Sequence, residues 1–189
     1  MSEPSGRTII GSSIVPFRVV FLMWLAFVAD FVYAYPLTQY GIVPRSVRGL
    51  IGIITAPLLH GNLMHIVGNT VPMLFLGSVL FYFYNRIALR VFLSCYFITN
   101  ILVWLFARSS VHIGASGLIY GLAAFLAVFG FIRRDIMSLA ISVVVILLYG
   151  YLIYGVLPTV YWVSWESHLA GAIVGTVTAI QMGKIKNVN

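Results

Sequence analysis

Charged side chains are scarce in this chain of 189 residues. They make up 8% of the sequence, and only four of them are acidic, whereas soluble domains carry about 25% charged residues. Apolar residues account for 61%, and the mean hydropathy is +1.05. This composition excludes a soluble globular domain and indicates an integral membrane protein. The longest apolar runs approach about 20 residues without alternation, so they predict membrane-spanning helices rather than barrel strands.

Cysteine is almost absent as well. The single one, Cys95, lies in an apolar run, which excludes an intrachain disulfide and a CxxC-type metal site. A buried thiol that fills space is the expected role. No cleavable signal is predicted, because residues 1–11 are polar and no small-residue cleavage site follows a short apolar core. The first apolar run is therefore expected to remain as a span.

The net charge of +7 comes from eleven Lys and Arg residues. A clustered basic surface would favour nucleic-acid binding, but these residues are scattered between apolar runs. In a membrane protein, basic residues at such positions set the orientation. We therefore expect membrane lipids, and no nucleic acid, around this chain.

The apolar runs divide the chain into six predicted spans within a single membrane-embedded domain, residues 1–189. The fold class predicted from them is an all-α membrane protein with six transmembrane helices. A connector at residues 37–59 is too apolar for a free loop and too broken by Pro44 and Pro57 for a span, so we expect it to lie in the interface. The spans are predicted at about residues 15–34, 61–84, 87–107, 113–132, 136–155 and 166–183.

The basic residues between these spans are distributed unevenly. With the N-terminus inside, eight lie on the cytoplasmic side and three on the other, a clear positive-inside bias. Both termini are then predicted to be cytoplasmic. The cytoplasmic set is Arg7, Arg18, Arg86, Arg90, Arg133, Arg134, Lys184 and Lys186, and the opposite set is Arg45, Arg48 and Arg108.

Three polar residues on three different spans lie at one predicted depth. Ser116 is 17 positions before Arg133 and Asn69 is 17 positions before Arg86, which puts each about 26 Å above the cytoplasmic edge at about 1.5 Å per residue. His168, 16 positions before Lys184, lies about 24 Å above it by the same rise. In a hydrocarbon core about 30 Å thick, this level is just below the outer surface.

Ser116 and His168 are the candidates for chemistry at this level. A serine in a membrane helix usually bonds its own backbone, but a histidine within a span is rare and functional by default. Neutral imidazole can take the serine proton and return it to a leaving amine. A triad would add a carboxylate, yet Glu166 is two positions from His168 and faces away, and Asp30 is the only other acid on the outer side. We therefore predict a Ser–His dyad.

Paired glycines should allow close packing of the two helices that carry these residues. Gly117 and Gly121 are four apart, as are Gly171 and Gly175, and small residues at this spacing allow close helix packing in lipid. Each glycine pair forms a ridge on its helix. Packing one ridge against the other would bring the Ser116 hydroxyl and the His168 imidazole within hydrogen-bond distance. Tyr120, one turn after Ser116, is expected either to support the imidazole by stacking or simply to pack as a core aromatic.

The stretch His60-Gly-Asn-Leu-Met-His65-Ile-Val-Gly-Asn69 opens the second span. His65 and Asn69 share a helix face and offer donors at the same depth. With the backbone N–H of Ser116 they would form an oxyanion hole. A metal site is the competing interpretation, because His112 and His168 could converge with His60 and His65. We disfavour it because no carboxylate joins them and no H-E-x-x-H pattern is present.

Three motifs together resemble the rhomboid family of intramembrane serine proteases. They are HxxxxHxxxN at residues 60–69, GASGxxYG from Gly114 to Gly121, and SHxxGxxxG at residues 167–175. The six-span layout is similar to that of the minimal bacterial, GlpG-type members. Two departures are Ile51-Gly52, where rhomboids often carry Trp-Arg, and Ser167, where Ala is usual.

The resemblance implies a rhomboid-like bundle with Ser116 as nucleophile, His168 as base, and His65 and Asn69 as oxyanion donors. It implies that Tyr120 stacks on His168, with Gly114, Gly117, Gly171 and Gly175 supporting the site. A flexible cap is implied at about residues 156–165, with sideways entry of substrates near the second and fifth spans.

The activity that the resemblance implies is a serine endopeptidase without metal or cofactor. It would cleave transmembrane segments of other proteins near the outer surface of the bacterial inner membrane. Two alternatives remain open: a catalytically inactive relative that binds transmembrane clients, and a small transporter or channel, which would require charges or broken half-helices within the spans.

Overall fold

The computed structural model describes residues 8–185. Within that range the chain is helical and contains no strand, apart from one isolated bridge between Ile42 and His112, which confirms the predicted all-α class. Arg7, Lys186 and the acid Glu3, which entered the sequence predictions, lie outside the described residues. Six long helices organise the fold: α1 Ile9–Tyr33, α2 Leu63–Phe83, α3 Asn85–Phe106, α4 Ser116–Arg133, α5 Ile136–Tyr149 and α6 Trp165–Met182.

Five of these helices are long and apolar enough to cross a membrane, with α5 counted together with its continuation to Val156. The sixth, α6, has 18 residues, but polar residues in its first turn, Glu166 to His168, lower its hydropathy. The first helix begins at Ile9, earlier than the predicted span, because the Thr8 side chain caps it by accepting from the N–H of Gly11. The fifth span does not continue as one α-helix: it tightens into a 3₁₀-helix over Gly150–Val156.

The connector between α1 and α2 consists of short helical turns held against α3. Side chains of α3 donate to its backbone: Asn100 Nδ2 to the Ile53 carbonyl at 3.0 Å, and Trp104 Nε1 to the Ser46 carbonyl at 2.9 Å. Arg45 reaches the other way, from the connector to the Ala107 carbonyl at 2.8 Å. These bonds anchor the connector without the Trp-Arg pair common in rhomboids.

Helix α4 is the centre of the bundle. Its buried residues Phe125 and Phe129 stack with ring centroids 4.8 Å apart, and the buried ring of Tyr84 meets both edge-on. Cys95 is also fully buried, in a π-helical turn of α3. This central packing places the first turn of α4 inside the bundle rather than at its edge.

Glycines bring α4 and α6 into backbone contact. A Cβ on Gly171 would lie 2.0 Å from the Gly117 carbonyl oxygen, and one on Gly175 would lie 2.0 Å from the Gly121 carbonyl oxygen. No side chain larger than hydrogen fits between these backbones. The glycine ridges predicted to face each other do so, and they align the first turn of α4 with the first turn of α6.

Candidate active site

Ser116 is the first residue of α4, and the loop before it depends on Gly114. Gly114 has φ +105°, a conformation that residues with a side chain rarely adopt. Its N–H donates to the Ala56 carbonyl at 2.8 Å, and a Cβ there would lie 2.5 Å from Nε2 of His65. Gly114 therefore turns the chain into the helix and also leaves room for the His65 ring.

Ser116 and His168 are in hydrogen-bond contact. The Ser116 Oγ lies 2.9 Å from His168 Nε2, and the His168 side chain is almost fully buried. The Tyr120 ring stacks on the imidazole, with centroids 4.1 Å apart and planes 5° from parallel. Of the two roles considered for Tyr120, stacking on the imidazole is therefore the one that the geometry favours.

The other imidazole nitrogen of His168 has a backbone partner. His168 Nδ1 lies 2.8 Å from the carbonyl oxygen of Gly155, in the segment that follows α5. A carbonyl can only accept, so Nδ1 carries the proton and Nε2 presents its lone pair to Ser116. Sequence reasoning did not identify Gly155, because a backbone carbonyl leaves no signal in a pattern of side chains.

No carboxylate contacts His168 among the residues that the structure describes. Asp30 accepts from the N–H of Leu37 at 2.6 Å, and Glu166 pairs with Arg108 at 3.3 Å. The histidine that contacts Ser116 is thus held by a main-chain oxygen rather than by a carboxylate.

His65 and Asn69 lie one turn apart on α2, and the Asn69 amide has a hydrogen-bond partner outside that helix. Its Nδ2 lies 2.9 Å from Nε2 of His60, which is buried. Burial lowers the pKa of His60 to about 4, so its imidazole is neutral at physiological pH and Nε2 accepts. His60 therefore orients the Asn69 amide, and its ring also meets that of His65 edge-on at 4.8 Å.

The four histidines do not gather around one point. His60 bonds Asn69 and His168 bonds Ser116, whereas His112 Nδ1 lies 2.6 Å from the Ser164 hydroxyl. Within residues 8–185, no three His, Cys, Asp or Glu side chains are grouped as a metal ion would require.

A cavity of about 750 Å³ opens beside the dyad. Its polar lining includes His65, Asn69, Ser116 and His168. A space of this size holds many water molecules, and water is one reactant of hydrolysis.

The segment between α5 and α6 covers this cavity and is tied down by Arg108. One Arg108 nitrogen, Nη2, donates to the carbonyls of Tyr161 at 2.8 Å and Val163 at 2.9 Å, while Nη1 pairs with Glu166. We call residues 157–164 the cap. The Arg108 guanidinium also lies over the exposed Tyr161 ring, 5.6 Å from its centroid.

A second anchor of the cap is a chain of hydrogen bonds through His112. Its Nε2 lies 3.0 Å from the Arg108 carbonyl and donates to it, so Nδ1 accepts from the Ser164 hydroxyl at 2.6 Å. The Ser167 hydroxyl in turn donates to Ser164 at 2.7 Å. Burial lowers the pKa of His112, which favours the neutral ring that this series of hydrogen bonds requires.

Comparison with known proteins places these features in a family. The rhomboid domain family matches residues 47–185. Uncharacterised proteins of Mycobacterium bovis and Mycobacterium tuberculosis are each 37% identical over 182 residues, covering 89% of this chain and 73% of the relative. An uncharacterised protein of Mycobacterium leprae is 38% identical over 178 residues, covering 84% of this chain and 66% of the relative.

The rhomboid match begins within the connector and includes the serine turn and the helix that carries His168. The apolar helices make the chain a multi-pass membrane protein. Members of this family are generally intramembrane serine proteases that act on membrane proteins, although some are inactive. The chain belongs to the rhomboid family.

Proposed function

We propose that the protein is an active intramembrane serine endopeptidase with Ser116 as nucleophile and His168 as general base. The observation that carries the proposal is the 2.9 Å contact between Ser116 Oγ and the lone pair of His168 Nε2. An inactive relative would have no need to keep a hydroxyl and a correctly oriented imidazole together in a largely buried site.

The reaction begins with proton transfer from Ser116 Oγ to His168 Nε2 as the oxygen attacks the scissile carbonyl carbon. The imidazolium then donates the same proton to the leaving amine, so the C–N bond breaks and an acyl-enzyme remains. A water molecule from the cavity then attacks the acyl carbon as it gives a proton to Nε2. The bond between the acyl carbon and Ser116 Oγ breaks, and Nε2 returns that proton to Oγ, which releases the carboxylic acid product and regenerates the dyad. Stacking on Tyr120 holds the imidazole plane fixed throughout.

The oxyanion of each tetrahedral intermediate lies near the N-terminus of α4. The backbone N–H of Ser116 is among the first four in its helix, which have no intrahelical acceptor. The Asn69 amide keeps a second N–H after bonding His60, and His65 supplies another ring nitrogen. Each hydrogen-bond donor that is already positioned for the oxyanion typically stabilises the transition state by about 3–4 kcal/mol.

The substrates of this activity are transmembrane segments of other proteins. The cavity lies at the end of α4 opposite its basic C-terminal Arg133, and the positive-inside bias assigns that basic end to the cytoplasm. Cleavage therefore takes place near the outer surface of a bacterial inner membrane, with both termini cytoplasmic. The dyad needs no metal or cofactor.

The test is cleavage of a membrane-embedded reporter in proteoliposomes, together with labelling by a serine-directed fluorophosphonate. Ser116→Ala and His168→Ala should each abolish cleavage and labelling. Ser78→Ala, which removes a hydroxyl bonded to Ser13 on α1, should retain both. Equal cleavage by all variants would refute the proposal. Reporter binding without cleavage or labelling would favour a client-binding relative, and solute flux that survives Ser116→Ala would favour a transporter.

A further inference from the structure

The His168 imidazole is oriented by a group outside the family motifs. Its Nδ1 lies 2.8 Å from the Gly155 carbonyl oxygen, thirteen residues earlier in the chain. In a triad this position is occupied by a carboxylate, which selects the tautomer and holds the ring. Here both outer acids are engaged elsewhere, Asp30 with Leu37 and Glu166 with Arg108.

Gly155 also fits its place for a steric reason. A Cβ there would lie 1.8 Å from the Tyr120 hydroxyl oxygen, 3.0 Å from Tyr120 Cζ and 3.2 Å from His168 Nδ1. Any side chain would therefore push the Gly155 backbone away from the stacked pair of Tyr120 and His168. Only glycine allows the carbonyl to approach the imidazole this closely.

The element that carries this carbonyl is the least buried part of the site. The 3₁₀-helix Gly150–Val156 contains no buried residue, and Ile153 and Tyr154 beside Gly155 are exposed. By contrast, Ser116, Tyr120 and His168 lie on the tightly packed helices α4 and α6. The orientation of the His168 ring thus depends on the position of the 3₁₀-helix that follows α5.

We propose that the Gly155 backbone carbonyl is the positioning group of His168, in the place of a triad carboxylate, and that the 3₁₀ continuation of α5 thereby makes the dyad competent. The inference rests on the proposed protease function and adds a residue to it. It predicts that displacement of residues 150–156 releases Nδ1 and impairs catalysis even when Ser116 and His168 are unchanged.

Gly155→Ala is the direct test, with Gly150→Ala as its matched control. Gly150 begins the same 3₁₀-helix, and the nearest atom to a Cβ there is Ile146 Cγ2 at 3.9 Å, so its substitution should leave cleavage unchanged. Gly155→Ala should lower kcat by roughly 100-fold, the loss that a displacement of about 1 Å produces. KM should change little, because the added Cβ faces Tyr120 and His168 rather than the space of the cavity.

A double variant tests the steric cause. Tyr120→Phe keeps the aromatic ring but removes the oxygen that a Cβ at position 155 would meet. Gly155→Ala combined with Tyr120→Phe should therefore cleave faster than Gly155→Ala alone. Equal kcat values for Gly155→Ala and Gly150→Ala, or a double variant no faster than Gly155→Ala alone, would overturn the inference.

A measurement on the unmodified chain needs neither a folded Gly155 variant nor a cleavage assay. In detergent micelles, ¹⁵N spectra of histidine-labelled protein should show His168 protonated at Nδ1 and unprotonated at Nε2, with assignment from the spectrum of His168→Gln. The opposite tautomer would overturn the inference even if cleavage depends on Ser116. Conversely, the expected tautomer with no Ser116-dependent cleavage would refute the protease function alone.

Discussion

The two helices that flank α4 pack against it very differently. Helix α6 meets α4 backbone to backbone through Gly171 and Gly175. Helix α5 does so only at its N-terminal end, where a Cβ on Gly130 would lie 2.0 Å from the Ser138 carbonyl oxygen and Ser142 donates to Leu126 at 2.8 Å. In their most apolar stretches, 61% of α4 is buried but only 22% of α5 with its continuation.

Toward its C-terminal end, α5 separates from α4. An apolar cavity of about 190 Å³ lies there, lined by Ala123, Ala127 and Tyr149 among others. Regions with few buried contacts open at low free-energy cost, whereas densely packed cores open only with the whole protein. The dyad thus lies on the rigid interface, and the loosely packed interface carries the group that orients its base and the cap above it.

Loss of a core ring should distinguish the two regions most strongly. Phe125→Ala truncates a fully buried side chain of α4. Because lipid is as apolar as the protein interior, the cost is lost packing rather than exposure to water. About 3 kcal/mol is expected, the lower end of the range for buried aromatic truncations. Leu147→Ala on α5, where the side chain is 78% exposed, should change the free energy of unfolding by less than about 0.5 kcal/mol.

Both values can be measured by reversible unfolding in mixed micelles. Equal destabilisation by the two substitutions would show that α5 is packed as tightly as α4 and would contradict the comparison.

Separation of α4 from α6 should have the next largest effect. Gly175→Ala places a Cβ 2.0 Å from the Gly121 carbonyl oxygen, and overpacking of this kind costs about 1–3 kcal/mol. The helices must move apart, so the contact between Ser116 and His168 should lengthen and fluorophosphonate labelling should slow.

Gly68→Ala is the matched control for this glycine. On α2 a Cβ at position 68 meets nothing within 4 Å. Because Gly68 lines the cavity beside Ser116, it serves as a control for stability alone, and its substitution should raise helix stability by up to about 1 kcal/mol. The two substitutions are thus expected to shift the thermal midpoint in opposite directions, and shifts of the same sign and size would count against the backbone contact.

Release of the cap should have the smallest effect on global stability and a clear local one. Arg108→Ala removes the donors to Tyr161 and Val163 and the partner of Glu166. Hydrogen bonds to charged groups contribute about 1.5–3 kcal/mol each when buried, and this partly exposed guanidinium should contribute about 1 kcal/mol to closure of the cap. Amide hydrogen exchange at residues 157–164 should therefore accelerate about fivefold, while the thermal midpoint hardly moves.

Arg48→Ala is the control for this prediction. Arg48 lies in the connector, where its guanidinium donates to the half-buried Gln39 side chain at 3.0 Å and, within residues 8–185, to no backbone carbonyl of the cap. Exchange in the cap should be unchanged in that variant. An unchanged exchange rate in Arg108→Ala as well would mean that the cap is held by His112 and Ser164 alone.

Periodicity and composition predicted most of the rigid region. The apolar runs predicted helices, and the four-residue glycine spacing predicted that α4 and α6 would be in close contact. The depth estimate placed Ser116 level with His168, from the rise per residue and the basic residues that mark the cytoplasmic edge. Each of these predictions uses side-chain identities along one element or at one level of the membrane, which a linear sequence records directly.

The predictions were weaker where the chain departs from regular helix. The fifth span was predicted at residues 136–155, and the helical segment does extend from Ile136 to Val156. The sequence did not predict the change from α-helix to 3₁₀-helix after Tyr149. The absence of the Trp-Arg pair left the anchoring of the connector open, and the structure shows that Arg45 and Asn100 hold it through backbone carbonyls. His60 and Asn69 belong to one sequence motif, but their direct contact was not predicted.

By itself, the sequence determined that this chain is a helical membrane protein of the rhomboid family, and it identified a serine and a histidine at a common depth. Only the tertiary structure decided which groups hold the parts of the site in place: Gly155 for His168, His60 for Asn69 and Arg108 for the cap. The physical reason is that two of these three contacts end on backbone carbonyls, which every residue carries and no pattern records. Their partners are selected only when segments distant in the chain are packed together.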